Sequence, residues 1–321
     1  MRVGIIGAGA VGAATSLALI EREVCRDIVL IDCDRARAAG VALDLRYAAP
    51  LTAAVDVRAG DYDLLAGATL VIITAGVNER AGGAIDRSDP QGRLRLAVDN
   101  ARIYADIIPQ VVEAAPEAVL MVVTDPPDPL ADITRGLAGH PRVFSTGTLL
   151  DSLRFRVHVA ERLGVQTDDV QAMVVGEHGT SQVLLWSAAT VAGQPVLDLL
   201  DARYRRPQQV RQEIEHNVRF ANIAIIEGTG ASCYGIAAVV ARLSAAVLRD
   251  ERVLLPVGLY HPKYGTTLSL PAVVGASGVD DVLEPAMTVE ERAGLNRSAA
   301  VLRTATEQCE DALDNLVTTH R

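Results

Sequence analysis

The chain has 321 residues, half of them hydrophobic, with 30 Lys and Arg against 40 Asp and Glu and a formal net charge of −10. That length fits two domains or one large one and allows a sizeable core. The acidic balance, with no long basic run, argues against nucleic acid and anionic membrane surfaces as partners, although a local arginine cluster can still hold a small anion. The cysteines Cys25, Cys33, Cys233 and Cys309 are scattered without metal-ligand spacing and read as reduced thiols, so no metal is expected. The apolar N-terminus carries no leader pattern, and no segment is long enough to span a bilayer, which suggests a cytoplasmic protein.

In chain order, "RVGII" predicts a strand, followed by a helix from about residue 11 to 23. "DIVLID" is a second strand and "RARAAGVALDLRYA" a second helix. "AVDVRAG", "ATLVIITAG" and "AVLMVVTD" supply further strands, with a long helix over 93–115. Short apolar runs without alternation indicate strands covered on both faces. Their succession with helices predicts an α/β fold built on a doubly wound parallel sheet. After about residue 145 the pattern becomes mixed α+β. "TGTLLDSLRFRVHVAERLG" is a helix, "VQAMVVGEHG" a strand entering a loop, and helices follow over roughly 205–228 and 233–249. "RVLLPVGLYHPKYG" and "TTLSLPAVVGASGV" predict antiparallel strands. Thr288 and Glu291 form a capping box that opens a C-terminal helix. The expected organisation is a first domain over 1–145 and a second over 146–321.

The first turn carries Gly7-Ala8-Gly9-Ala10-Val11-Gly12 between a strand and a helix. Gly7 allows the tight turn, Gly9 lets the backbone approach a pyrophosphate, and Gly12 lets the helix pack on the strand. The helix N-terminus adds partial positive charge for the phosphates. Asp32, at the end of the second strand, suits the two ribose hydroxyls of NAD and repels a 2′-phosphate, which outweighs the nearby Arg35 as a possible NADP contact. This makes the first domain a Rossmann-type NAD-binding unit.

Asp151 and Arg154 lie three residues apart on one helix face. His178 sits in a Gly-flanked turn after a strand, and Arg93 and Arg95 open the long helix. A solvated helix face is the competing account for Asp151 and Arg154, since His158 and Glu161 continue their stripe. With "GAGAVG", "LIDCDRARAAGVALDL", "TAG", "TGTLLDSLRFR", "GEHG" and "GASCYGI" in this order, the whole chain resembles the L-lactate/malate dehydrogenase family. The resemblance implies an NAD-dependent oxidoreductase that interconverts a 2-oxo acid and an L-2-hydroxy acid. His178 would act as acid and base, oriented and favoured in its protonated form by Asp151. Arg154 would clamp the substrate carboxylate and Arg93 would polarise the carbonyl. Ser232 stands where the family commonly has a threonine in the substrate pocket. Gly7, Gly9, Val11, Gly12, Asp32, Thr74, Ala75, Gly76 and Asp125 would line the cofactor. The resemblance also implies a homodimer or homotetramer.

Two stretches depart from the family pattern. The lid, "VNERAGGAIDRSDPQG" at 77–92, is longer than usual, and either Glu79 or Arg80 would read the substrate side chain, depending on register. "TDPPD" places Asp125 where the family carries an asparagine beside nicotinamide and substrate. An ionised aspartate cannot donate a hydrogen bond as asparagine does. It must be protonated, paired with Arg80, Arg87 or Arg93, or set against a cationic group on the ligand, and an arginine partner is the leading expectation. Glu79 and Asp125 together could instead favour a 2-oxo acid bearing an amine or guanidine. The two prolines after Asp125 permit a cis peptide, and Asp128 is expected to cap the next helix. The alternative functions are a metal-assisted NAD-dependent glycosidase and a non-catalytic NAD-binding protein.

Overall fold

The computed structural model describes residues 1–52, 54–89 and 91–319. The alternating first half forms strands β1 (Arg2–Ile6), β2 (Asp27–Ile31), β3 (Asp56–Ala59), β4 (Ala68–Ile73), β5 (Val119–Val122) and β6 (Val143–Ser145). Helices α1 (Ala10–Glu21), α2 (Arg35–Ala48), α3 (Ala97–Ala114) and α4 (Pro127–Ala138) connect them. The six strands run parallel in the order β3-β2-β1-β4-β5-β6. Strand order reverses direction between β1 and β4, and at such a point a crevice opens at the carboxyl ends of the strands. Every residue of β5 is buried, which explains why its sequence shows no alternation.

The second half contributes α5 (Leu149–Leu163), the short strands β7 (Val170–Gln171), β8 (Val174–Val175), β9 (Val183–Leu184), β10 (Thr190–Val191) and β11 (Gln194–Pro195), and then α6 (Val196–Arg203). Next come α7 (Pro207–Thr229), α8 (Tyr234–Leu248), β12 (Val253–His261), β13 (Thr266–Gly275), β14 (Gly278–Val282) and α9 (Val289–Thr319). The antiparallel pair expected from the Pro- and Gly-punctuated runs is β12 with β13. It joins the first half's sheet through Gly258 opposite Ser145, making one nine-stranded sheet. The strand expected to open the stretch 170–179 before its loop is instead broken into β7 and β8, and α6 has no counterpart in the sequence reading.

Each face of the sheet carries its own core. Leu19 and Ile20 of α1, Leu45 of α2, and Val240 and Leu243 of α8 cover one face. Ala101, Tyr104 and Ile108 of α3, Leu130 of α4 and Cys309 of α9 cover the other. The capping box forms as read: Thr288 N donates to Glu291 Oε2 (2.9 Å) and Glu291 N donates to Thr288 Oγ1 (3.2 Å). Among the described residues, no helix is long and apolar enough to cross a membrane.

Helix α5, which carries Asp151 and Arg154, is anchored from behind by a separate cluster. Phe155 is fully buried and meets Trp186 edge-on, with ring centroids 4.6 Å apart. Phe155→Ala should therefore destabilise the protein by about 3–5 kcal/mol in urea unfolding. A loss under about 1 kcal/mol would mean that the helix is held by other contacts.

Candidate active site

The glycine turn lies between β1 and α1. Gly7 adopts a φ of 106°, a region that side chains with a Cβ disfavour. A Cβ on Gly12 would overlap the carbonyl oxygen of Gly7, whereas one on Gly9 would meet nothing within 4 Å. Gly9 occupies the N-cap of α1 without any side-chain cap, so the first N–H groups of that helix remain available for an anion. Asp32 follows β2, and its carboxylate accepts from Ala8 N (2.7 Å) and Asp34 N (2.8 Å). Arg35 turns away to Asp61 (2.7 Å), so it does not offset the negative charge of Asp32. These residues fit NAD: an open backbone cradle for the diphosphate and a fixed carboxylate for the ribose. Val11, Thr74 and Gly76 extend the same surface into the cleft, and Ala75 backs onto Gly7.

His178, Arg154, Arg93, Asp125, Glu79 and Ser232 all line one cleft at the carboxyl ends of β4 and β5, and Asp151 lies behind it, bonded to His178 and Arg154. Asp151 is 2 % exposed, which rules out the solvated-face reading of α5; only His158 and Glu161 form an exposed pair there. One carboxylate oxygen of Asp151 bonds Nδ1 of His178, and the other accepts from Arg154 Nη1 (3.1 Å). Burial alone would raise the Asp151 carboxyl, but His178, Arg154 and Arg93 hold it at about 2, so it is ionised. Burial pushes the His178 imidazole below its ordinary value, and Arg93 and Arg154 push the same way, while Asp151 opposes them. Asp151 thus favours the imidazolium as expected, but desolvation outweighs it.

Asp128 does not cap α4. Pro126 holds that position, and Asp128 sits in the first turn with its carboxyl accepting from Ser145 Oγ (2.6 Å) and from the backbone N of His178 (3.0 Å). It therefore tethers the His178 loop to the sheet, and burial raises its carboxyl to about 7. The peptide bond between Asp125 and Pro126 is cis.

The lid folds as a series of turns on α7. Ala84 N donates to Glu79 O (2.8 Å), and Arg87 grips Glu227 with two hydrogen bonds, at 2.5 and 2.8 Å. Pro90 of this segment lies outside the described residues. Glu79 faces the cleft, whereas Arg80 lines a separate surface groove with Ile226 and Glu227. Of the three arginines considered for Asp125, only Arg93 approaches it, with Nε 3.5 Å from Oδ2. Arg93 is buried and also donates to His178 O (3.3 Å), while Arg95 turns to Asp89 (2.8 Å).

Two asparagines, one lining the cleft and one behind it, escaped the sequence reading. Asn222 of α7 lines the cleft. Asn100 of α3 is fully buried; its Nδ2 donates to Asp125 O (2.7 Å) and its Oδ1 accepts from Val77 N (2.7 Å), tying the lid's root to the Asp125 turn. A polar residue in step with the apolar face of α3, one turn before Tyr104, was the available signal for it.

The close packing at Gly12 gives a direct test of the cradle. Gly12→Ala should weaken NADH binding by about tenfold or more, ~1.4 kcal/mol, by fluorescence titration. Unchanged affinity would place the cofactor elsewhere.

Comparison with known proteins agrees with this geometry. Residues 1–144 match the model for the lactate/malate dehydrogenase NAD binding domain, and residues 148–313 match that for the lactate/malate dehydrogenase alpha/beta C-terminal domain. The L-lactate dehydrogenase of Chloroherpeton thalassium is 44% identical over 308 residues, spanning 95% of this chain and 98% of that protein. That of Thermus aquaticus is 43% identical over 95% of this chain and 98% of its own. Among solved structures, a minor L-lactate dehydrogenase from Enterococcus mundtii superposes with a TM-score of 0.87 at 32% identity, covering 96% of this chain and 98% of the other. Neither a glycosidase nor a non-catalytic reading finds support in these relatives. The chain belongs to the lactate/malate dehydrogenase family of NAD-dependent oxidoreductases that interconvert 2-oxo and 2-hydroxy acids.

Proposed function

We propose that this enzyme reduces monocarboxylic 2-oxo acids, pyruvate among them, to L-2-hydroxy acids, with residues 1–145 holding the cofactor and 146–321 supplying the acid-base and carboxylate-binding groups. The observation that carries this reading is the meeting of His178 and Arg154 in one cleft beside Thr74 and Gly76, with Asp151 bonded to both from behind. When bound, NADH supplies the hydride. Arg154 clamps the substrate carboxylate, and Arg93 stabilises the negative charge that grows on the carbonyl oxygen. Nε2 of His178 delivers the proton to that oxygen, with Asp151 fixing Nδ1–H and stabilising the imidazolium. In the reverse direction the neutral imidazole takes the proton back.

The substrate anion itself restores the charge balance that burial disfavours. Binding a carboxylate between Arg154 and Arg93 offsets the two cations that depress His178, so the imidazole gains its proton as the substrate arrives. The choice of a monocarboxylic substrate rests on Glu79. A second carboxylate, as in oxaloacetate, would face Glu79 without a cleft arginine to meet it, since Arg80 lines another groove. The L-lactate dehydrogenases named above are consistent with this choice. We also infer a homodimer or homotetramer, supported by exposed apolar side chains on α1, α7 and α8 (Leu17, Ile225, Tyr234). A cytoplasmic location is supported by the four free thiols.

His178→Asn should lower kcat/KM for pyruvate by about 10²–10⁴-fold with little change in NADH affinity; near-normal turnover would remove His178 from the chemistry. For 2-oxo acid reduction, kcat/KM should fall as pH rises through the His178 titration, because the donor form is the protonated one. In Asp151→Asn the midpoint should move to lower pH, since Asp151 is the group that opposes the depression. An unmoved midpoint would contradict the pairing. Pyruvate should be preferred to oxaloacetate by about hundredfold, or ~2.7 kcal/mol, in NADH-oxidation assays; the opposite preference would overturn the role given to Glu79.

A further inference from the structure

Glu79, at the root of the lid, and Asp125, after β5, bring their carboxyl groups within hydrogen-bonding reach of each other inside the cleft. Asp125 lies 3.5 Å from Arg93 Nε and 3.8 Å from His178 Nε2, so the pair borders the groups assigned to the reaction. Two carboxylates in contact in a buried site repel strongly, and such pairs relieve the repulsion by retaining one proton. The surrounding charges agree. Arg93 faces the pair from the foot of the lid, Asp151 and Arg154 from α5, His178 and Glu177 from the loop after β8, and Tyr104 from α3.

Burial raises Asp125 well above the usual carboxylate range, with Glu79 and Asp151 adding to the rise against the pull of Arg93. Glu79 lies nearer solvent. Burial would raise it too, but its bond to Asp125 and the charge of Arg93 hold it low. The proton therefore resides on Asp125. A neutral Asp125 carboxyl can donate a hydrogen bond, which its ionised form cannot. It also leaves the charge of Arg93 free for a substrate anion.

We propose that Glu79 and Asp125 hold a single proton between them, and that a cationic group on the substrate side chain, an amine or guanidine, takes that proton's place. The inference rests on the dehydrogenase reading for its substrate but not for its proton. With the proton in place, the cleft accepts a neutral side chain such as that of pyruvate. When the proton leaves at higher pH, two carboxylates border the binding site. A 2-oxo acid with a neutral side chain is then disfavoured, and one whose side chain bears a cation is not. The enzyme's selectivity between the two substrate classes is thus a function of pH.

The test compares kcat/KM for a guanidino-bearing 2-oxo acid with that for pyruvate from about pH 6 to about pH 9. Protonation of His178 affects both substrates alike and cancels in the ratio. The ratio should climb about tenfold with pH in the wild type and stay level in both Asp125→Asn and Glu79→Gln. A level ratio in the wild type overturns the exchange of proton for cation. Independently of turnover, the infrared spectrum of the wild type at neutral pH should contain a neutral-carboxyl stretch that is missing from Asp125→Asn and altered in Glu79→Gln; difference spectra remove the contribution of Asp128. No such difference overturns the shared proton. If the band is present and no 2-oxo acid is reduced, the shared proton stands and the dehydrogenase reading falls.

Discussion

The site is organised around one buried ionic contact, the bond between Nδ1 of His178 and the carboxylate of Asp151. Both side chains are nearly removed from water. A buried carboxylate is costly unless its lone pairs are filled and its charge is met. The fold meets that demand from three directions. Arg154, one turn along α5, takes the second oxygen of Asp151. Asp128 at the start of α4 holds the backbone of His178. Arg93 reaches in from the foot of the lid to the carbonyl of the same histidine. Each of these partners comes from a different element, so the imidazole's position depends on the relative placement of α4, α5 and the lid.

The same arrangement explains how the cleft can be charged yet poised. Burial and two guanidinium groups depress the imidazole's proton affinity and Asp151 opposes them; in the function proposed above, a bound carboxylate tips that balance. The nine-stranded sheet supplies the rigidity this needs. β4 and β5 are buried along almost their whole length and lead into Thr74 and the turn that carries Asp125, which places these two cleft residues after adjacent strands. Residues 77–92 meet α7 through an exposed Arg87–Glu227 pair, and exposed pairs contribute little.

Much of this was legible in the sequence, for identifiable reasons. The parallel half announced itself through short apolar runs and the glycine turn, since strands buried on both faces and a backbone that must approach a diphosphate each leave a local mark. His178, Asp151 and Arg154 were legible as residue types in motif context. The break between β7 and β8 and the existence of α6 were not, because strands two residues long carry no periodic signal. Which lid residue faces the cleft was not legible either. Glu79 and Arg80 are neighbours, and only packing of the turns on α7 decides which one faces inward. Asp128 was misread as a cap because Asp at a helix start usually is one; here cis-linked Pro126 takes that position and the carboxyl is used across the fold instead. Asn100 was missed because one amide on an apolar helix face gives no hint of the two loops it joins.

The most direct measurement is a crystal structure of the enzyme with NADH and the unreactive pyruvate analogue oxamate. The account requires the oxamate carboxylate to sit on Arg154 and its carbonyl oxygen to lie about 3 Å from Nε2 of His178, with the nicotinamide ring against the same face of the ligand. Oxamate bound away from Arg154, or an imidazole too distant to share a hydrogen bond with it, would contradict the account.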